Sequence, residues 1–202
     1  MDDLFADRLF NAFERNDPDP GTLLLAAPDI ADHRFSRSAI LIIENDERTT
    51  YGVDLTQFTD AAVANVFPEI DDFCAPPKAV FIGGPVERSS VLALGVVKKG
   101  LEQPVERPYF MHLGSRMVHV DLHADPDQYR EELEGIRLFA GFAEWEPGQL
   151  DAEIENGDWF VTPALPSDIL AGRNADVWGQ AFRRQAGELS VLSTFPADLS
   201  MN

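Results

Sequence analysis

The sequence predicts an α+β fold on three observations. Short apolar runs recur along the chain between clusters of Gly, Pro, Asn and Asp, and such runs read as strands. Amphipathic helical stretches are fewer and fall between them irregularly, unlike the regular strand–helix alternation of a parallel α/β sheet. No repeat, low-complexity segment or interdomain linker divides the 202 residues, a length that suits one domain.

The elements follow in order. Phe5, Leu9 and Phe13 recur at helical spacing, with Leu4 and Phe10 beside them, so residues 3–15 read as an amphipathic helix. Asp17-Pro18-Asp19-Pro20-Gly21 ends it. Residues 1–20 are therefore an N-terminal helix and linker, and residues 21–202 a single domain; the helix could dock on that domain or on a partner, and an exposed apolar stripe favours the domain. Thr22–Ala26 is a strand, 28–37 a polar connection, and Ser38–Ile43 a strand rich in isoleucine. A hairpin turn over 44–49 leads to a return strand, Tyr51–Leu55. Thr59 is expected to cap a helix over Asp60–Phe67, stopped by Pro68.

Ala79–Ile82 is a strand that ends at Gly83-Gly84-Pro85, and Val91–Val97 is another. Residues 100–116 lack a pattern and read mainly as loop, before a strand at Met117–Leu122. Asp125 and Gln128 suggest a capped helix running to Glu134 and closed by Gly135. The run Leu138–Ala143 is a buried strand in which Gly141 marks a bulge or close approach. Pro147 suits a first helical position, and Gln149–Glu155 carries Leu150 and Ile154 one turn apart. Asn156-Gly157 closes that helix, and Trp159–Val161 extends again. Asn174 is expected to cap a helix bearing Val177, Trp178, Ala181 and Phe182, and Leu189–Leu192 reads as a last short strand.

Charge narrows the function classes. There are 35 Asp and Glu residues against 16 Lys and Arg, for a net charge of -19. Nucleic-acid binding needs a basic surface that displaces counterions from phosphates, and an anionic membrane surface repels the same excess. Solubility accounts for the acidity, and a basic protein partner fits it as well. The single cysteine, Cys74, excludes an internal disulfide, and Asp71 and Asp72 disfavour its thiolate. The first twenty residues hold six acidic residues and no apolar core of a signal peptide. No apolar run is long enough to cross a bilayer. The expected compartment is the cytoplasm.

Three constellations could carry chemistry. In Asp32-His33-Arg34-Phe35-Ser36-Arg37-Ser38, Arg34 and Arg37 could grip a carboxylate or phosphate through paired N–H groups, with Ser38 beside them. The alternative is a surface loop whose arginines pair with the chain's own carboxylates. Glu144, Gln149 and Glu153 could line a polar cleft at a strand end, or Trp145 and Trp159 could be packing anchors with Gln149 a turn-capping amide. His119, Asp121 and His123 alternate along a strand and would share a face, which offers zinc-like donors or describes any half-exposed strand. No nucleophile adjoins these groups, so the sequence assigns no catalytic residue and no cofactor. Gly83-Gly84-Pro85-Val86 lacks the endings of phosphate-binding loops and reads as a tight turn or a close crossing of two backbones.

Several of these stretches together resemble the YqgE/AlgH family of bacterial proteins. They are Gly21 to Pro28, Asp32 with Phe35-Ser36-Arg37-Ser38, Gly83-Gly84-Pro85-Val86, Gly141 to Glu153 and on to Trp159, Trp178, and Thr194 to Asn202. The resemblance implies a branched mixed or antiparallel sheet with a small barrel-like part, surrounded by helices. It brings no agreed catalytic residues. Some members are labelled transcriptional regulators. Thr56 and Gln57 stand where the family shows Asn-Arg, and Glu144 stands where it shows Gly before Trp145. The expectation is a binding or regulatory protein that acts through a protein partner. The alternative is a small-molecule-binding protein or enzyme whose anion site joins Arg34, Arg37 and Ser38 to Glu144, Gln149 and Glu153.

Overall fold

The structure, a computed structural model, describes residues 17–101 and 107–196. The helix expected over residues 3–15 lies outside them. The architecture is α+β: a largely antiparallel, curled sheet with few helices.

β1 (Thr22–Ala26) lies between β10 (Trp159–Pro163) and β2 (Ala39–Asn45), antiparallel to both. From β2 the sheet continues through β3 (Thr50–Asp54), β9 (Leu133–Trp145), β6 (Val86–Val97), β8 (Met117–Val120) and β7 (Phe110–His112). The unbroken apolar runs of β1 and β2 follow from cover on both faces. Leu23, Leu25, Leu41 and Ile43 meet Trp178 and Phe182 of α3 (Val177–Arg183). Leu24, Ile40 and Ile42 face the other way, onto Trp145, Trp159 and Leu150 of α1 (Gln149–Asn156). A further cluster holds Val80, Val118, Tyr129, Ile136 and Leu138.

β9 is where the sheet branches. One of its edges carries β6, from Leu133 to Phe142. The other edge is divided. β3 pairs with Ala143 to Trp145, and β5 (Ala79–Ile82) runs parallel to Phe139 and Ala140. β4 (Phe58–Ala62) adds to β5. The chain leaves β5 on one edge of β9 and enters β6 on the other, so Gly83-Gly84-Pro85 must pass across the face of β9. Gly83 donates to the Ala140 carbonyl at 2.9 Å and accepts from the Asp54 amide at 2.8 Å. A Cβ on Gly84 would fall inside the backbone of Phe142 and Ala143. Opposite it, Gly141 has φ +69, and its Cβ would lie 2.6 Å from the Val86 carbonyl oxygen and 2.8 Å from that of Gly84.

Several expected elements differ. Residues 60–67 do not form a helix; β4 is followed by 3-10 turns at Val63–Asn65 and Pro68–Phe73. Thr59 Oγ donates to the Val80 carbonyl at 2.9 Å, so pairing with β5 outweighs its capping tendency. Past Asp125 only a turn at Pro126–Gln128 is helical. Tyr129 is fully buried, and Leu133 already begins β9 with Gly135 inside the strand. The expected loop at 100–116 contains β7. Leu189–Leu192 is one helical turn, α4, and α2 spans Pro166–Ile169. Asp176, rather than Asn174, caps α3 by accepting from the Gly179 amide at 2.9 Å. Gly148, in the left-handed conformation, precedes α1, so Pro147 lies outside the first turn.

Gly141→Ala therefore meets two penalties, a left-handed backbone worth about 1–2 kcal/mol and a clash with two carbonyls. We expect a loss of about 3 kcal/mol or more in urea unfolding. Gly187→Ala shares the positive φ (+65) but has open space around it and should lose about 1 kcal/mol. Equal losses at the two positions would contradict the crossing as the cause.

Candidate functional site

The crossing places two polar segments side by side. Asp32 opens a short 3-10 turn, His33–Phe35, and accepts from the Arg34 amide at 3.1 Å. That turn aims Arg34 and Phe35 toward the end of β9, where Glu144 and Trp145 precede α1. Pro85 arrives from the crossing. The result is a cleft of about 270 Å³ whose lining includes Asp32, Arg34, Glu144, Gln149, Glu153 and Asp158.

Glu153 is the centre of the cleft's bonding. Its Oε2 accepts from the indole nitrogens of Trp145 at 2.8 Å and Trp159 at 2.9 Å, and its Oε1 accepts from Gln149 Nε2 at 2.8 Å. Gln149 Oε1 in turn accepts from the Glu146 amide at 3.0 Å. The two indoles meet edge to face with centroids 6.0 Å apart, and Phe35 packs on Trp159 at 5.6 Å. The tryptophans are thus packing anchors and carboxylate holders at once, and Gln149 is both a turn-capping amide and a partner of Glu153. Three donors hold the Glu153 charge in place without cancelling it; no ion pair neutralises it among the described residues.

Arg34 lies at the rim, with 71% of its side chain exposed. Its Nε donates to Asp32 Oδ1 at 3.0 Å and its Nη2 to Oδ2 at 2.6 Å. This fork holds the Asp32 carboxyl below the usual carboxylate range. A second cavity of about 190 Å³ shares Arg34, Phe35 and Pro85 with the first and adds Asp54, Gln57 and Arg88. Asp54 is 2% exposed. It accepts from Ser38 Oγ at 2.6 Å, Thr56 N at 2.8 Å, Thr56 Oγ1 at 2.6 Å and Gln57 Nε2 at 3.3 Å. Burial still outweighs these bonds and raises its pKa above the ordinary value of 3.8.

The sequence candidates divide accordingly. Arg34, Glu144, Gln149 and Glu153 line one cleft; Arg37 and Ser38 do not. Arg37, at φ +58, turns toward α3. It pairs with Asp176 at 2.8 Å, donates to the Phe195 carbonyl at 2.7 Å and lies 4.1 Å from the Trp178 ring centroid. Ser38 is fully buried beneath Asp54. His119, Asp121 and His123 do not converge: β8 ends at Val120, and Asp121 instead accepts from the His123 amide at 2.9 Å. His119 is half-buried, which lowers its pKa. No group of three potential metal ligands occurs among the described residues. Cys74 is buried, which raises its thiol pKa.

The sequence reading missed Asp54, Gln57, Arg88 and Asp158. For Asp54 there was a signal: a lone carboxylate inside the apolar return strand, where a paired buried strand has no place for an unbonded charge. The other three sit on turns or a strand start, and only topology brings them to the cleft.

A family model described as AlgH-like matches residues 23–190. A UPF0301 protein of Corynebacterium efficiens is 54% identical over 202 residues, covering all of both chains. A UPF0301 protein of Mycobacterium tuberculosis is 47% identical over 182 residues, 90% of each chain. A crystal structure of a Corynebacterium diphtheriae protein superposes with a TM-score of 0.85 at 51% identity, covering 95% of this chain and 100% of that one. The solution structure of the AlgH protein from Pseudomonas aeruginosa gives a TM-score of 0.63 at 21% identity, over 90% of this chain and 97% of that one. That second likeness is one of fold.

Asp54 yields a pH prediction. Its folded pKa is raised, so the folded state holds the proton more tightly than the unfolded chain does. The stability it contributes is fully present below the unfolded value near 3.8 and is lost as pH rises through its folded value. Relative to Asp54→Asn, which does not titrate, the wild type should gain stability as pH falls toward 4. Urea midpoints of both proteins at pH 7 and near pH 4 measure this, and a constant difference would refute it.

Proposed function

The chain belongs to the AlgH-like family, and from that premise we propose that it is a cytoplasmic binding module whose acidic cleft accepts a lysine or arginine side chain from a protein partner. The observation that carries this is Glu153, a carboxylate positioned by two indoles and an amide, with no cation assigned to it among the described residues. Glu144 and Asp158 add charge of the same sign on the same lining, while Arg34 is already matched by Asp32. The cavity of about 270 Å³ lies just below the roughly 300–1,000 Å³ of pockets that enclose whole ligands. It suits one inserted side chain better than a cofactor.

A regulatory role through a partner is consistent with the net charge of -19, which steers basic proteins toward the surface and nucleic acids away. A compartment without disulfides suits the single buried thiol of Cys74. No helix of the described residues is long and apolar enough to cross a membrane. An anion site joining Arg34 to Arg37 has less support, because each guanidinium is bound to an internal carboxylate and they face different elements.

Glu153→Gln tests the reading, since glutamine still offers an oxygen to the indoles but carries no charge. Titration calorimetry with acetyl-Gly-Arg-Gly-amide should show saturable binding that weakens about tenfold in the variant and falls with added salt. The same peptide with citrulline in place of arginine should not bind. Equal affinity of wild type and variant, or of arginine and citrulline peptides, would overturn it.

A further inference from the structure

The two cavities adjoin, because Arg34, Phe35 and Pro85 line both. Their linings differ in sign. The first holds Glu144, Glu153 and Asp158; the second holds Arg88. We infer that the adjoining cavities read two charges on one partner segment: a basic side chain in the first, and the carboxylate of an adjacent residue at Arg88 in the second. This rests on the acidic-cleft reading above and adds the chemistry of the neighbouring residue.

Arg88 is the cation that the second cavity does not share. Arg34 lines both cavities and is already matched by Asp32, which engages its Nε and Nη2. Arg88 makes no ion pair among the described residues. Its backbone is fixed by the crossing, with its Cα 3.3 Å from the position a Gly141 Cβ would take. Gln57, beside it, is tethered through Nε2 to the Arg34 carbonyl at 3.4 Å and to Asp54 at 3.3 Å, which ties the second cavity to the loop that forms the first.

Among the described residues, Asp54 is the only carboxylate lining the second cavity. Both of its oxygens are taken up by internal donors. Burial favours its neutral form, so it opposes an incoming anion less than a free carboxylate would. One arginine with no ion pair among the described residues suits a carboxylate, whereas phosphate recognition uses arginine clusters.

The test uses the full chain and three peptides: acetyl-Gly-Arg-Gly-amide, and its forms with Glu or with Gln replacing both glycines. Calorimetry should show the Glu peptide binding about fivefold more tightly than the Gln peptide, the upper range for an exposed pair. Arg88→Gln should abolish that preference while still binding the glycine peptide, with an unaltered thermal midpoint. If the peptides bind but Glu gives no advantage, or if Arg88→Gln keeps the advantage, this inference fails while the acidic-cleft reading stands. If none of the three binds at millimolar concentration, the acidic-cleft reading fails and this one goes with it.

Discussion

The passage of Gly83-Gly84 across Gly141-Phe142 is the constraint on which the rest of the molecule depends. β9 has only two edges, yet three strands pair with it. β6 takes one edge, and β3 and β5 share the other. Consecutive strands β5 and β6 lie on opposite edges, with three residues to join them. A connection this short can reach only by lying on the backbone of β9 itself, at a separation that excludes a Cβ on either chain. The branch in the sheet and the position of Pro85 in both cavities follow from that one contact.

A buried guanidinium holds the other half of β9. Arg137 is 1% exposed. It donates to the carbonyls of Ile169 at 2.7 Å, Pro76 at 3.0 Å and Ala171 at 3.0 Å, and lies 4.2 Å from the Phe81 ring centroid. Burial lowers its pKa to about 10, so it remains charged at neutral pH. Ile169 ends α2 and Ala171 follows it, so Arg137 caps carbonyls left open where that helical turn stops. The crossing fixes the cleft end of β9, and Arg137 clasps the remainder to the segments that cover it.

Legibility in the sequence tracked the range of the forces involved. β1 and β5 were readable to the residue because a continuous apolar run between turn residues has one stable use. The glycines of the crossing were readable as a close approach. The helix expected after Thr59 failed because a local capping preference of about 1 kcal/mol competes with strand pairing to β5, which lies twenty residues away in sequence and leaves no local trace. The helix expected from Asp125 failed for a related reason: Tyr129 is drawn into the core and β9 begins early. At the cleft, Glu153 could be named from its turn, but its bonds to both tryptophans depend on how α1 folds back over β9 and β10. Arg34 and Arg37 looked equivalent in sequence. A positive φ at Arg37 sends its side chain to α3 instead.

The separation of those two arginines also decides what kind of specificity the cleft can have. With Arg34 locked to Asp32 and Arg37 to Asp176, the loop contributes shape to the cleft and little free positive charge. Long-range attraction then comes from the net charge of -19. Salt screens it beyond about 8 Å under physiological conditions, so it accelerates encounter with any basic surface without choosing among them. Choice requires a charge held at a fixed point and shielded from rearrangement. Glu153 meets both conditions, since the ordering of its side chain by three donors is completed on folding rather than on binding. In the proposed reading, the acidity of the whole chain and the placement of this one carboxylate therefore act at different distances, the first on rate and the second on selection.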